Sequence, residues 1–540
     1  MLAPRRGVRY HADMMTSGGR WIAGFALLGA LVQGCSEHRS SPPRDAGPND
    51  PAARAASTAP TSEAGASADG GAVVTDEADA RVGDAAGAVE PDGDAPVEES
   101  LSIRRVLHHT EFPMHGVALF HNVNIYSEPS SRSPRLGVLR RGTRVRLGRE
   151  LEGRGCREGR WHPIQPAGYI CSGRTMRVGE EPPPLAFTPT PPRLDSPTPY
   201  DYGRNRLDKA PLYRRPPTPS EYAAEMERRR LEREARRAGP TAAPDGGSGE
   251  QPQEEEEDEE EEEEREDPAL GPIVTRLKGG YYVTVERIII ENGRRWVRTS
   301  GLNYVESPAI FKRAVPDLRG AELGADLTLP IVLTARDTKS RRIGADGRIE
   351  PGRDVPQFTA FPMLGTTKIA EKAYYSVGGG ELVSAELSRR IERIDPPPDV
   401  AGDERWIDVD LSEQTLVAYE GARPVFATLV STGKQGHPTP VGAFRIHSKY
   451  VSCDMAETTD VDEPYLIEDV PWTMYFHLAI ALHGAFWHSQ YGRERSHGCV
   501  NLAPADARWL FWWVGPELPE GWHGVVSTAD NPGTRVYVRR

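Results

Sequence analysis

Toward the end of the chain Cys499 follows a glycine, with His497 two positions before it and His483 sixteen before it. A thiol becomes an effective nucleophile when a neighbouring imidazole takes its proton or stabilises the thiolate. Residues two apart in a strand share a face, so His497 and Cys499 can both look into one cleft. Gly498 lets the backbone approach a substrate closely, and successive amides around Cys499 can donate to a developing oxyanion. That set suits acyl transfer through a thioester. Two duller readings compete on the residues alone. His477, His483, His488, His497 and Cys499 are zinc-ligand types, although their spacings match no common structural zinc pattern and acidic helpers are sparse. Alternatively, Cys499 is buried packing and the histidines are satisfied core groups.

The full string tips the balance. His483-Gly484, a gap, and Ser496-His497-Gly498-Cys499-Val500-Asn501, preceded by Thr439-Pro440-Val441-Gly442-Ala443-Phe444, resemble the catalytic domain of L,D-transpeptidases, the YkuD domain. The resemblance covers roughly residues 404–540 and departs from the family pattern at no catalytic position. It implies Cys499 as nucleophile and His483 as general base, with Gly484 helping to fix His483 through its backbone. It implies that Ser496, His497 and Gly498 line the oxyanion and substrate site, and that Asn501 holds the loop or contacts substrate. Tyr475, Trp487 and His488 are further candidates for the substrate cleft. Such enzymes attack the bond after the third residue of a peptidoglycan tetrapeptide stem and release D-alanine. The acyl group then passes to a diamino-acid amine of a second stem, forming a 3→3 cross-link. The resemblance implies neither metal nor organic cofactor, and a mainly β sandwich with a short helix.

The elements that must position these residues can be read locally. Seven of the ten tryptophans lie beyond residue 405, which marks the largest packed core. Segments 406–411, 415–419 and 425–431 alternate as strands, 438–446 is a turn into another, and 503–514 reads as a helix with Pro504 in its first turn. Upstream, 272–400 reads as a β-rich middle module. Its clearest signal is a hairpin at 287–297 turning on Asn292-Gly293.

Across all 540 residues apolar types make up 38% and aromatics 7%, while 54 Gly and 48 Pro point to a chain part folded and part linker. The net charge of −13 is concentrated in the run 254–267, where thirteen acids and one Arg supply −12. The rest is close to neutral, which gives no basic excess for nucleic acid. No apolar stretch reaches about 18 residues, which argues against a membrane-spanning helix. Residues 1–35 read as a signal peptide: four arginines, an apolar run over 21–32, then Gly34-Cys35. That end resembles a bacterial lipobox. It implies lipid on Cys35, and Ser36 suggests outer-membrane sorting into a periplasmic location; ordinary secretion is the alternative. Residues 36–100 read as a disordered tether with a reach of roughly 45 Å. Residues 101–179 show short strands with frequent turns and resemble SH3-like domains of cell-wall enzymes. Within them Cys156 and Cys171 are expected to form a disulfide in an oxidising compartment. Residues 180–271 read as a Pro-rich and acidic linker holding one solvated charged helix capped by Ser220. Cys453 has no obvious partner. Three functional classes follow: a transferase that cross-links stems or attaches a protein to the wall, a hydrolase using the same site, and a silent wall-binding module. The expected partners are stem peptides and, through Cys35, a membrane.

Overall fold

The computed structural model describes residues 112–185, 189–238, 271–457 and 464–540, and these are mainly β with two α-helices among them. The signal peptide with Cys35, the tether and the acidic run lie outside the described residues.

The first unit (114–179) packs Val123, Ile125, Leu139, Leu147, Ile164 and Ile170 into a small β core. Cys156 and Cys171 are joined by a disulfide. This unit is not set apart by a linker. Its strand β1 (Arg135–Arg140) hydrogen-bonds to Gly524–Val526 near the chain's other end, and Trp522 fills its core.

The stretch 180–271, expected to be linker, holds ordered structure over 189–238. Strand β2 (Tyr202–Asn205) and the strand Ala210–Tyr213 bury nearly every side chain, which the surrounding prolines conceal in the sequence. Helix α1 (Pro219–Ala238) begins with a capping box: the Glu221 N–H donates to Thr218 Oγ1, and the Thr218 N–H donates to the Glu221 carboxylate. The cap is therefore Thr218, not Ser220. Nor is the helix wholly solvated, since Glu225 is buried under Arg276 and Tyr222 meets the edge of Trp296.

The expected middle module, 272–400, is two units rather than one. The first combines β2 with β3 (Tyr282–Thr284) and β4 (Ile310–Arg313), and Ala210–Tyr213 with four further strands. Its hairpin turns at Asn292 and Gly293 with φ of 52° and 70°, the left-handed pair such a two-residue turn requires. The second unit spans 321–391. It lays Leu323, Ile331, Leu333, Phe358 and Ile391 over the outer face of a six-stranded sheet.

That sheet contains β5 (Arg405–Asp410), β6 (Thr415–Glu420), β7 (Arg423–Leu429) and β8 (Gly442–Arg445). Facing it are β9 (Ser448–Glu457), β10 (Tyr465–His477), β11 (Ile480–Gly484) and β12 (Val500–Leu502). Ile407, Val409, Leu416 and Phe426 from the first sheet meet Trp472, Met474, Leu482 and Val500 from the second in one core, closed by α2 (Pro504–Trp513). The buried Lys449 ammonium donates to the Phe511 and Val514 carbonyls, capping α2 with positive charge. The last strand, β13 (Arg535–Arg539), runs parallel to β5 inside the six-stranded sheet.

The units meet at a buried ionic junction. Arg140 of the first unit donates to both oxygens of Asp469 at 2.7 Å, and Ser452 and Ser300 donate to the same carboxylate. Thr284 donates to Glu468, and the Asp469 N–H to Asp454. Burial alone would raise Asp469, but Arg140 and then His121 overcome it and hold it at about 2. Asp454 and Glu468 are pushed up to about 6 and about 8, first by burial and then by a neighbouring carboxylate.

Candidate active site

Strand pairing brings the candidate residues together. β11 and β12 are parallel, with Leu482 opposite Val500 and His483 opposite Asn501. One step back, Cys499 falls beside Ala481. Alternation then puts Ala481, His483, Cys499 and Asn501 on one face.

The turn that delivers Cys499 is tied at three points. Gly433 pairs with Ser496 in an isolated bridge. The Thr439 hydroxyl accepts from the Gly433 N–H at 2.9 Å and donates to the Gly498 carbonyl at 2.7 Å. The Ser496 hydroxyl donates to the Cys499 carbonyl and accepts the Gly498 N–H at 3.1 Å. Ser496 is therefore a brace of the loop, and the Gly498 amide is already engaged. Gly498 sits at φ +117°, where a side chain would be strained, with Ile480 Cδ1 3.4 Å from where a Cβ would stand.

Cys499 is half-buried and is the free cysteine among the described residues. Cys453 is buried, with its sulfur 3.5 Å from the Tyr475 hydroxyl. Burial pushes the Cys499 thiol up to about 11, opposed by the Ala481 backbone N–H. His483 is 2% exposed, and burial lowers it to about 4. Its Nδ1 lies 3.3 Å from the Gly484 carbonyl, which can only accept. The proton therefore sits on Nδ1, and Nε2 keeps the lone pair that a base requires. The resting pair is a neutral thiol and a neutral imidazole, and the two are not hydrogen-bonded to each other.

His488 and Asn501 form a second pair. The Gln490 N–H donates to His488 Nδ1 at 3.2 Å, and His488 Nε2 lies 3.2 Å from the Asn501 amide. A neutral imidazole that accepts at Nδ1 must donate at Nε2, so Asn501 presents its oxygen there. This satisfies an otherwise unpartnered buried Oδ1 and turns the amide NH₂ the other way. Burial lowers His488 to about 3, which keeps it neutral.

Trp487 stacks on His483 with ring centroids 5.7 Å apart. Tyr475, 7% exposed, is a wall of the site rather than a cleft surface. His497 packs between His437 and Tyr465, at 4.7 and 5.3 Å. Tyr465 was not legible in advance. Its phenol lies close enough to Cys499 for thiolate charge to raise it, after burial, yet it opens a strand with no motif around it. The bracing role of Thr439 was equally hidden, although its segment stood out. The five-residue zinc reading is not assembled: among the described residues, the metal-capable group is His121, Asp454 and Asp469, where Arg140 already supplies the positive charge.

Residues 404–538 match the family model of the YkuD L,D-transpeptidase catalytic domain. A putative L,D-transpeptidase, YciB, of Bacillus subtilis is 25% identical over 149 residues, covering 24% of this chain and 69% of that protein. L,D-transpeptidase 1 of Mycobacterium tuberculosis is 29% identical over 113 residues, covering 19% of this chain and 43% of that protein. The chain thus spans less than half of the mycobacterial relative. The solved catalytic domain of the E. faecium L,D-transpeptidase is 25% identical and is covered completely, against 26% of this chain, with a TM-score of 0.21. The segment that carries Cys499 and His483 is thus the one that matches the L,D-transpeptidase catalytic domain.

Proposed function

We propose that the chain is a cysteine-dependent acyltransferase of peptidoglycan, with Cys499 as nucleophile and His483 as base. The observation that supports this most is the shared face of Cys499, His483 and Asn501, with His483 oriented so that Nε2 is its basic atom.

The Cys499 proton passes to His483 Nε2 as sulfur adds to the carbonyl carbon of the third stem residue. The tetrahedral intermediate collapses, the C–N bond breaks, and the departing D-alanine amine takes the proton from His483. A thioester remains. The side-chain amine of a second stem then attacks the thioester and gives its proton to Nε2. The C–S bond breaks, the thiol is restored, and a 3→3 amide has formed. With the Gly498 amide held by Ser496, the Cys499 N–H is the donor for the oxyanion.

The remaining assignments belong to the same reading. Export through residues 1–35 and lipid on Cys35 would hold the enzyme at the outer membrane on the periplasmic side. The SH3-like first unit would contact the wall. Incubating the full chain, with and without Cys499→Ala, with a disaccharide tetrapeptide and reading products by mass spectrometry tests the proposal. A dimer lacking one D-alanine, absent with the variant, is expected. Tripeptide alone would make the enzyme a hydrolase. No product from either protein would leave a wall-binding module.

A further inference from the structure

The segment that follows His483 is held from outside the catalytic domain. Phe486 is fully buried and stacks on Tyr202 of β2, with centroids 3.8 Å apart and planes 18° from parallel. Tyr282 of β3 meets Phe486 edge-on at 5.6 Å and Trp487 at 6.4 Å. Arg313, the last residue of β4, donates from Nη2 to the Trp487 carbonyl at 3.3 Å. These three residues come from neighbouring strands of one unit: Tyr282 and Tyr202 lie on paired strands, and Arg313 sits directly opposite Tyr202. The unit is fixed in turn to the catalytic sheet, because Tyr282 pairs with Ile467 and the Tyr202 hydroxyl donates to the Asp469 carbonyl.

We propose that the unit containing residues 202–313 is a working part of the active site, in which Arg313, Tyr202 and Tyr282 are positioning residues that fix Phe486 and Trp487 and so hold the ring of His483 toward Cys499. A buried imidazole with one long hydrogen bond, at 3.3 Å to its neighbour's carbonyl, has little else to set its ring plane than the Trp487 face stacked on it. Trp487 is only half-buried, so its own placement depends on the grip on its backbone and on Phe486 beside it. None of these three positioning residues lies within 404–538, so the catalytic segment alone would lack them.

This inference rests on the proposed roles of Cys499 and His483, and its test keeps the two apart. The full chain, Arg313→Ala, Arg313→Lys and Tyr282→Leu are compared in two measurements. The first is the rate at which iodoacetamide alkylates Cys499, followed by intact mass, which needs no peptidoglycan. The second is kcat and KM for thioester formation with a tetrapeptide. Arg313→Ala is expected to slow alkylation and to lower kcat by about 10-fold with KM within about twofold, the signature of a displaced catalytic group. Arg313→Lys, which can still donate to the Trp487 carbonyl, should recover most of the loss. Tyr282→Leu should fall in the same direction, and it serves if Arg313→Ala does not fold. A raised KM with unchanged kcat would overturn the inference by making Arg313 a substrate contact, as would unchanged rates in both measurements. If the wild-type chain forms no thioester, the functional reading falls, while alkylation still decides the positioning role.

Discussion

Two of the buried polar clusters among the described residues, the unit junction and the Cys499 face, are built on opposite plans. At the unit junction the carboxylates have partners: Asp469 takes hydrogen bonds from Arg140, Ser300 and Ser452, and Glu468 takes two from Thr284, through its N–H and its hydroxyl. On the Cys499 face the groups are neutral and under-used: a thiol whose distant neighbour is the Ala479 carbonyl at 3.9 Å, an imidazole with a bare Nε2, and an amide with a spare NH₂. Both clusters carry strongly displaced titrations, so displacement alone does not mark a catalytic site. What separates them is that on the Cys499 face the thiol and the imidazole themselves keep unspent hydrogen-bonding capacity. The junction spends its polarity on holding units together, whereas the proposed catalytic face keeps it free.

Removing groups from each cluster should expose that difference. The largest effect is expected at Cys499→Ala, which should abolish thioester formation, by roughly 10³-fold or more, with His483→Ala costing roughly 10²–10⁴-fold. Intact-protein mass spectrometry after tetrapeptide addition reads both, and neither should change the melting temperature by much. The reverse pattern is expected at the junction. Asp469→Ala strands the Arg140 guanidinium, itself 6% exposed, and should destabilise the fold by about 3–5 kcal/mol in denaturant titration. A comparable stability loss at His483 would erase the contrast.

Acidity sharpens the comparison further. His483 is lowered to about 4, so it stays unprotonated and active until pH falls near that value. Rates of Cys499 acylation should be level from about pH 8 to about 5 and drop below. Glu468 carries the opposite consequence. Its folded value, about 8, lies above the unfolded one, so its contribution is complete below about 4.5 and is lost as pH rises through about 8. Glu468→Gln escapes that loss, and its stability relative to wild type should grow across the same interval. A constant difference would argue that Glu468 is solvated. The smallest effect is expected from Ser452→Ala, which removes one hydrogen bond to Asp469 and should cost about 1–3 kcal/mol with catalysis unchanged.

How much of this could be read along the chain depended on the distance between partners. Cys499 and His483 stood out because nucleophile, glycine and histidines fall within one short string, and the catalytic strands because their alternation is local. The hairpin at Asn292-Gly293 declared itself through two turn residues. The strands at 202–205 and 210–213 did not. Each has four residues among prolines, too few for a period to show, and their burial is decided by Trp296 and Phe486, far along the chain. The junction was equally silent, since Arg140 and Asp469 are 329 positions apart and only the folded sheet introduces them.

The pairing of Arg135–Arg140 with Gly524–Val526, and the lodging of Arg535–Arg539 beside Arg405–Asp410, carry a consequence for how the chain is made. The first of these strands and the six-stranded sheet both wait for partners that lie far downstream in the chain. Contacts of such sequence separation close slowly, so the nascent chain cannot consolidate unit by unit. The Cys499 face shares that delay, because β11 and β12 pack into one core with the strand β13 that completes the opposing sheet.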